Sequence, residues 1–590
     1  MVTLAAVAAA GAWWSHPFPL AGALAVVAVG WIARRAVVVI VGVALTVSAL
    51  GARSWAGLHP PLVGWYSGAA TLAGDPVDVD GALRVDMVIR RKRVEAWARG
   101  AAASALRDRL SGEEVWVAGR VRPLPARLRR WLASRHVAAR LSVRAVDGWM
   151  PGTALTRFAN GLRRTLLAGA ASLRPDRRAL FAGFVLGDDR GQPAEIVADF
   201  RASGLTHLLV VSGENVAFVL ALASPLLSRL RLVSRVFAGV AVLVLFGTLV
   251  RWEPSVIRAE AMATLALMAT AIGRPLSRIR LLALAVTLVL LLDPLLVHSA
   301  GFLMSVGASA GIALLAGRVA ERLPGPRPLA AAMGVTIGAQ VGVAPVLIPV
   351  FGSLPLAALP ANLLAVPAAG PIMTWGLAAG VPAGLVGGHM AALVHVPTAV
   401  LVAWIAAVAR VMAGLPFGRM GAVSAAGVVG AGVVAVIAKT AALRVGMFTL
   451  ALAFVIAGPV VGAMRPPDCR ACAVAEGVRM WRSGGDVVLV ADEARSSALL
   501  WRLWQAGVRS VDLLVVRRAT VPAARAVEVL SRRVMVSRVV AGAPRSGREA
   551  PPGWRIVAGD ASVTTRRFRV VVRETPRGLD TDVEQLPSPS

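Results

Sequence analysis

Several stretches of this chain, among them 238–250, 281–297 and 390–409, are long, apolar and almost free of charge. Such segments leave few folding options. A bilayer core takes about 20 apolar residues per helical crossing and offers nothing to an open backbone group. Hydrophobic side chains make up 57% of the 590 residues and mean hydropathy is +0.69, so much of the chain is expected in lipid. This length also implies more than one domain. The first 14 residues are apolar without a basic leader, which favours an uncleaved anchor over a signal peptide.

The net charge is +31, and all but two of the 63 basic residues, Lys92 and Lys439, are arginine. Arginine with abundant Ala, Val and Gly is also what GC-rich coding produces, so part of this excess is compositional. Cys469 and Cys472 are the only cysteines and build no disulfide framework. They can form a local bridge or remain two thiols; alone they cannot complete a tetrahedral zinc site.

The expected fold class is a polytopic α-helical membrane protein with an N-terminal external β-domain and a small α/β C-terminal soluble domain. Residues 1–52 read as N-terminal transmembrane helices, with segments near 2–14, 18–33 and 36–52. Residues 53–150 alternate apolar with polar residues in Val-rich runs (Leu83–Ile89, Glu114–Arg120, Val137–Val146), the pattern of a small β-domain. Residues 151–202 read as amphipathic surface helices, and 203–463 as the transmembrane domain, with about ten hydrophobic segments. Residues 464–575 read as an α/β domain, with buried strands at Val487–Val490 and Leu513–Val516 and a helix at Ser497–Gln505 between them. The polar tail 576–590 is expected to be disordered.

The arginines orient the spans. Arg34-Arg35, then Arg229, Arg231 and Arg235, then Arg274, Arg278 and Arg280, then Arg318, Arg322 and Arg327 all fall on one side if the β-domain lies outside. The rule fails beyond residue 328, where Arg410/Arg419 and Lys439/Arg444 flank consecutive segments.

Polar groups inside this apolar frame are the candidate functional residues, because lipid tolerates them only against protein or water. His207, Ser212, Gly213 and Asn215 stand at the mouth of one segment, where Ser212-Gly213 is expected to break the helix and open backbone groups to an aqueous cavity. The alternative is that His207 and Asn215 bond neighbouring helices. A Ser–His catalytic pair lacks a third member and an oxyanion turn, so no catalytic residue is assigned. Arg258 and Glu260, two apart, are poorly spaced to pair with each other and need partners on other helices. The stretch 340–371 holds six prolines, which predicts kinks or re-entrant pieces, with Gln340 and Asn362 bonding freed backbone groups or a polar ligand. In the β-domain, residues 90–140 carry 14 Arg/Lys against four Asp/Glu, interleaved with tryptophans. Arg90, Arg91, Arg93, Trp97 and Trp116 are therefore candidates for nucleic-acid contact, against the alternative of a solvated face near anionic lipid heads.

Phe184-Val185-Leu186-Gly187-Asp188 followed by Phe200–Asn215 resembles the signature of the ComEC-type competence family. Pro254–Ala259, Leu292-Asp293-Pro294, Gly338-Ala339-Gln340, Phe351-Gly352 and Asn362–Pro367 follow in the family's order, and residues 60–147 resemble its external OB-like domain. The resemblance implies a bacterial inner-membrane channel that transports single-stranded DNA into the cytoplasm during natural transformation. Its partners would be an external DNA receptor and cytoplasmic motor or strand-binding proteins. Asn215 stands where many relatives have His. The C-terminal region resembles a degenerate metallo-β-lactamase. Val511–Val516 matches its strand, but Arg517-Arg518 follows and no histidine occurs after His395, so neither metal, cofactor nor nuclease activity is expected. There is no GxxxxGK[ST] loop, so the pulling force must come from elsewhere. Two other readings stand beside the channel: a transporter of a small polar or anionic solute, and a membrane nuclease, for which the ligands are missing.

Overall fold

A computed structural model describes residues 1–79, 81–415, 419–421, 442, 446, 449, 467–475, 477–492, 496–542, 553–557, 559–575 and 578–587. The hydrophobic segments expected between 422 and 463, with Lys439 and Arg444, lie outside the described residues. The chain divides into two compact units: residues 1–191, 207–352 and 362–405, and residues 192–206, 353–361 and 406–590.

The first unit opens with three apolar helices, α1 (Val2–Trp14), α2 (Leu20–Ile32) and α3 (Ala36–Gly57). A β-barrel follows: β1 (Gly64–Leu72), β2 (Val77–Val79), β3 (Ala82–Ile89), β4 (Lys92–Ala98), α4 (Ala101–Arg107), β5 (Glu114–Pro123), α5 (Ala126–Ala133) and β6 (Val137–Met150). The strand order is β1-β5-β6-β4-β3-β2, and β1 also pairs with β3, so the sheet closes on itself. All pairings are antiparallel except β4–β6, which is parallel. Inward-facing Val85, Met87, Val94, Val117, Val121 and Leu141 fill the barrel, and Ala102, Ala103 and Leu106 of α4 plug it. The runs of alternating residues become strands because one face is buried and a register slip would expose it.

Next come α6 (Ala154–Gly169) and α7 (Pro175–Leu186), then α9 (Gly213–Leu227), α10 (Leu232–Leu249), α11 (Pro254–Ala271), α12 (Arg278–Leu292), α13 (Ala300–Ala320), α14 (Arg327–Phe351), α15 (Ala358–Val386), α16 (Gly388–Val394) and α17 (Val396–Gly414). Among the described residues six helices, α3, α10, α13, α14, α15 and α17, are long and apolar enough to cross a membrane. The protein is thus a multi-pass membrane protein. Helices α13 and α14 pack backbone to backbone: a Cβ on Gly311 would stand 2.0 Å from the Gly338 carbonyl oxygen, and one on Gly307 2.4 Å from that of Gly342. Small residues create this approach, and dispersion plus close carbonyl contact hold it in lipid.

The proline-rich stretch departs from expectation. Pro345 and Pro349 lie inside α14, and Pro367 and Pro371 inside α15, so the helices run through them. Only the link around β7 (Leu354–Pro355) is non-helical. Near the freed carbonyls, Thr374 Oγ1 donates to Gly370 O at 3.0 Å, and neighbouring groups in a helical bundle supply such partners generally.

The second unit contains α8 (Ala194–Ala202), β7, β8 (Arg419–Met420) and a C-terminal α/β domain. That domain comprises β9 (Cys469–Ala475), β10 (Val478–Ser483), β11 (Asp486–Ala491), α18 (Ser496–Gln505), β12 (Ser510–Val511), β13 (Leu513–Val516), α19 (Val521–Ser531), β14 (Met535–Val536), β15 (Val539–Gly542), β16 (Trp554–Val557), β17 (Ala561–Thr564), β18 (Phe568–Thr575) and β19 (Gly578–Gln585). Its main sheet has the order β16-β15-β13-β11-β10-β9, parallel from β16 to β11. Apolar residues on one face meet α18 and α19, and those on the other meet Val563, Phe568, Val570 and Val572 of the three-stranded β17-β18-β19 sheet. Cys469 and Cys472 are joined as a disulfide on the edge strand β9.

Two boundaries change. The stretch 151–202 is not one run of surface helices, because α8 belongs to the C-terminal unit. Its Ala198 is buried in that core, Asp199 pairs with Arg533 at 2.5 Å and Glu195 with Arg532 at 3.3 Å. The tail is not disordered from 576 onward: β19 pairs with β18 from Gly578 to Gln585 and buries Leu579.

The α13–α14 contact makes the first prediction. Gly311→Ala drives a methyl into the Gly338 carbonyl and should destabilise the purified protein by about 1–3 kcal/mol, the usual cost of overpacking. A melting curve in detergent reads it as a lower midpoint, whereas Gly317→Ala, on a face with no neighbour within 4 Å, should leave the midpoint unchanged.

Candidate functional site

Ser212 does not interrupt a helix; it opens one. Between Leu209 and Ser212 the chain is non-helical, and His207 is exposed in a short 3-10 turn, Thr206–Leu208. Ser212 is the N-cap of α9, its Oγ accepting from the Glu214 N–H at 3.3 Å. Asn215 donates from its amide to the Phe184 carbonyl of α7 at 3.1 Å, which fixes the start of α9 against the Phe184–Asp188 segment. Ser255 donates to Val211 O at 3.1 Å and ties the same turn to α11.

Arg258, on α11, reaches this turn. A Cβ on Gly213 would lie 2.5 Å from Arg258 Nη2, so only glycine lets the guanidinium lie against the first turn of α9. Arg258 is 6% exposed; its Nε donates to Ser305 Oγ at 2.9 Å and its Nη1 contacts Met262 Sδ at 3.0 Å. Neither partner is an anion. The free N–H groups at a helix start carry partial positive charge, so the cation and the helix end turn the same sign toward one place. Glu260 lies against Gly247 of α10, where an added Cβ would stand 2.9 Å from both carboxylate oxygens, and its Oε1 has no partner. Gln340 lies half-buried in α14 with Nε2 unpartnered; Asn362 is the fifth residue of α15. Of the sequence candidates, the structure therefore gathers Ser212, Gly213, Asn215 and Arg258.

A second polar centre escaped the sequence reading. Arg163 of α6 is 1% exposed and donates to Leu186 O at 2.9 Å, Leu249 O at 2.7 Å, Asp75 Oδ2 at 2.9 Å and Asp188 Oδ2 at 3.1 Å. Arg251, following α10, donates to Asp75 and to Asn160 Oδ1, and Arg190 pairs with Asp188 at 2.5 Å. Burial alone would raise the Asp75 carboxyl, but Arg163, Arg251 and Arg190 outweigh it and hold the group down at about 2. A barrel loop, a surface helix, the Gly187-Asp188 turn and the end of α10 thus meet on one guanidinium. The available signal was Arg163 sharing an α6 face with Ala159, Asn160 and Leu166, where a solvated helix would not place a charge.

In the barrel, Arg90 and Arg91 form the two-residue β3–β4 turn with φ of 45° and 64°, a left-handed pair usually filled by Asn-Gly. The next residue, Lys92, donates to Gly57 O at the end of α3 at 2.6 Å. Arg93 donates to Arg135 O at 3.1 Å, and Trp97 donates to Glu95 at 2.9 Å beneath the Arg140 guanidinium. Trp116 is 53% exposed. His136 pairs with Asp293, of the Leu-Asp-Pro motif, at 2.8 Å.

These features define a multi-pass membrane protein whose polar groups collect at helix starts and at the junction with a β-barrel. Residues 184–445 match the family model Competence, described as competence protein. The match covers the α9 cap, Arg258, Gln340 and Asn362. No curated protein and no solved structure matches the chain.

Arg163→Met should leave Asp75 and Asp188 without a main counter-charge and cost about 3–5 kcal/mol, read as a large fall in melting midpoint. The pH profile has a defined sign. The Asp75 carboxyl sits lower when folded than when unfolded, so its stabilisation is complete above about pH 4 and fades as pH falls toward 2. In the wild type this contribution should be constant from pH 7 down to about 4 and fall below it, a step that Asp75→Asn removes.

Proposed function

We propose that this chain conducts single-stranded DNA across the bacterial inner membrane into the cytoplasm during natural transformation. The observation that carries this reading is Arg258, a buried guanidinium lying against the first turn of α9 with Ser305 and Met262 as its partners and no anion among them. Burying such a charge is costly without a counter-charge, and a passing phosphodiester supplies one transiently. A permanently paired arginine would instead hold its place. The competence-family match over 184–445 supports the choice of cargo.

We read the barrel order β1-β3-β4-β6-β5, with a helix between β4 and β5, as OB-like, and OB folds commonly bind single strands. We place it on the outer side, where the arginine distribution puts it. An external receptor would deliver DNA, and cytoplasmic motor or strand-binding proteins would draw it in. We assign no hydrolysis to the C-terminal domain. After β13, where a metallo-β-lactamase-like domain would carry metal ligands, Arg517 stands bonded to Asp492 at 2.9 Å and Asp580 at 2.6 Å.

The test is uptake of labelled DNA by cells carrying variants at equal protein level. Arg258→Ala should lower internalised label at least tenfold while leaving surface-bound label unchanged, and Arg258→Lys should restore part of it. Wild-type internalisation with Arg258→Ala, or in cells lacking the protein, overturns the reading and leaves transport of a small anion as the use of the same cation.

A further inference from the structure

We infer that α5 lies in the headgroup layer of the membrane and binds anionic phospholipid there through Arg127, Arg129, Arg130 and Trp131. The inference goes beyond the DNA-uptake reading and does not depend on which cargo crosses.

Helix α5 is amphipathic, and its apolar side is fixed twice. Leu128 and Leu132 pack on Leu124 and Val137 of the barrel. Ala133, its last residue, is buried with Leu58, just after α3, and Leu295, just after α12. Three residues on, His136 repeats the tie by pairing with Asp293 at 2.8 Å. Helix α3 is long and apolar enough to cross a membrane, and α12 ends on the fully apolar, exposed Leu292. Both helices stop here, so α5 stands where hydrocarbon gives way to water.

Tryptophans gather at the same level. Trp13 and Trp14 end α1 and are both exposed, and Trp55 lies in the last turn of α3. The Trp13 and Trp55 rings stand 4.9 Å and 5.4 Å from the ring of His298, in the short turn that contains Leu295. Arg130 of α5 is within electrostatic reach of His298, and its neighbour Trp131 is 68% exposed. Indoles concentrate at a membrane boundary because the ring is apolar and its N–H seeks a polar partner. Four of them, from three elements, collect where α1, α3 and α12 end.

The arginines supply the charge. Arg129 and Arg130 precede Ala133 by four and three positions, so they flank the residue that touches the membrane-helix ends. Arg127 precedes Trp131 by four and shares its stripe. All three are exposed, and their side chains form no ion pair or hydrogen bond with any described residue. Lipid phosphates lie at this depth, and each arginine held near them favours an anionic surface about fivefold. Exposed indole and unanswered guanidinium on one short helix therefore match a headgroup in both apolar and charged parts.

The experiment places the full chain in nanodiscs containing phosphatidylglycerol or phosphatidylcholine brominated in the upper acyl chain. It reads the part of the emission that Trp131→Phe removes in each background. In wild type, half-maximal quenching of that part should need about tenfold less brominated phosphatidylglycerol than brominated phosphatidylcholine. In Arg129→Gln/Arg130→Gln the two lipids should quench alike, while quenching persists because Trp131 keeps its depth. Melting midpoints confirm that the variants fold. Absence of quenching by either lipid puts α5 outside the headgroup layer and overturns the inference. Equal quenching in wild type, or a preference that survives in the double variant, overturns it as well. Relief of the quenching by added oligo-dT would assign the face to nucleic acid and sink the lipid assignment. The Arg258 uptake assay judges the channel reading separately.

Discussion

A guanidinium taken out of water has five N–H donors to satisfy, and Arg163 makes four bonds from Nη1 and Nη2 to three separate stretches of chain, leaving Nε without a partner. Two are carbonyls at the ends of α7 and α10, and two are carboxylates from the β1–β2 loop and the Gly187-Asp188 turn. Because each partner would be costly to strand in the interior, they are held together or lost together. The barrel is thereby fixed to the membrane helices at the Asp75 end. Lys92 against the end of α3 and His136 against Asp293 fix it elsewhere. Packing adds to this where Leu58, Ala133 and Leu295 meet. The arrangement around Ser212 inherits its position from this frame, since Asn215 is bonded to Phe184, four residues before the turn that Arg163 holds.

Arg258 shows what the same side chain does without such partners. It is nearly as buried, yet it meets a hydroxyl and a thioether. The contrast between the two arginines separates a fold-holding group from a candidate for transient contact more sharply than burial or charge alone. Gly213 makes the difference possible, because any side chain there would displace the guanidinium from the start of α9.

The legible parts of this structure are those governed by a single periodicity or a single solvent. Lipid forces long uncharged runs into helices, so the multi-pass character could be read directly, and the ordered motifs from Phe184 to Pro367 carried the family. Alternation located β3, β5 and β6 because one face of each is buried. What could not be read depends on contacts between residues distant in sequence. Arg163 looked like one more polar residue of an amphipathic helix, since its partners are 23 to 88 positions away. Helix α8 looked like its neighbours until Arg532 and Arg533 claimed its carboxylates from more than 300 residues on. Strand β19 carries Asp580, Asp582 and Glu584 on one face, which reads as a polar tail unless Leu579 and Val583 are known to meet a sheet. The prolines could not be placed from sequence, because breaker rules describe helices in water and α14 and α15 run through four of them.

The excess of arginine takes on a different meaning once its partners are known. Arg135 and Arg140 neutralise Asp86 and Glu95, Arg517 bridges Asp492 and Asp580, and Arg532 and Arg533 hold α8. These guanidiniums are structural, and they contribute little to the attraction of a polyanion because each is matched locally. The net charge of +31 already has these pairs subtracted, so it is the 63 basic residues taken alone that overstate the capacity for nucleic acid. Sequence counting concentrated attention on residues 90–140 because basic side chains are dense there, yet density also brings them within reach of the acids that cancel them. The arginines that matter for a polyanion are those the fold leaves without an acid, among them Arg258 in the membrane helices and Arg90, Arg91, Arg99, Arg120, Arg122 and Arg144 on the barrel.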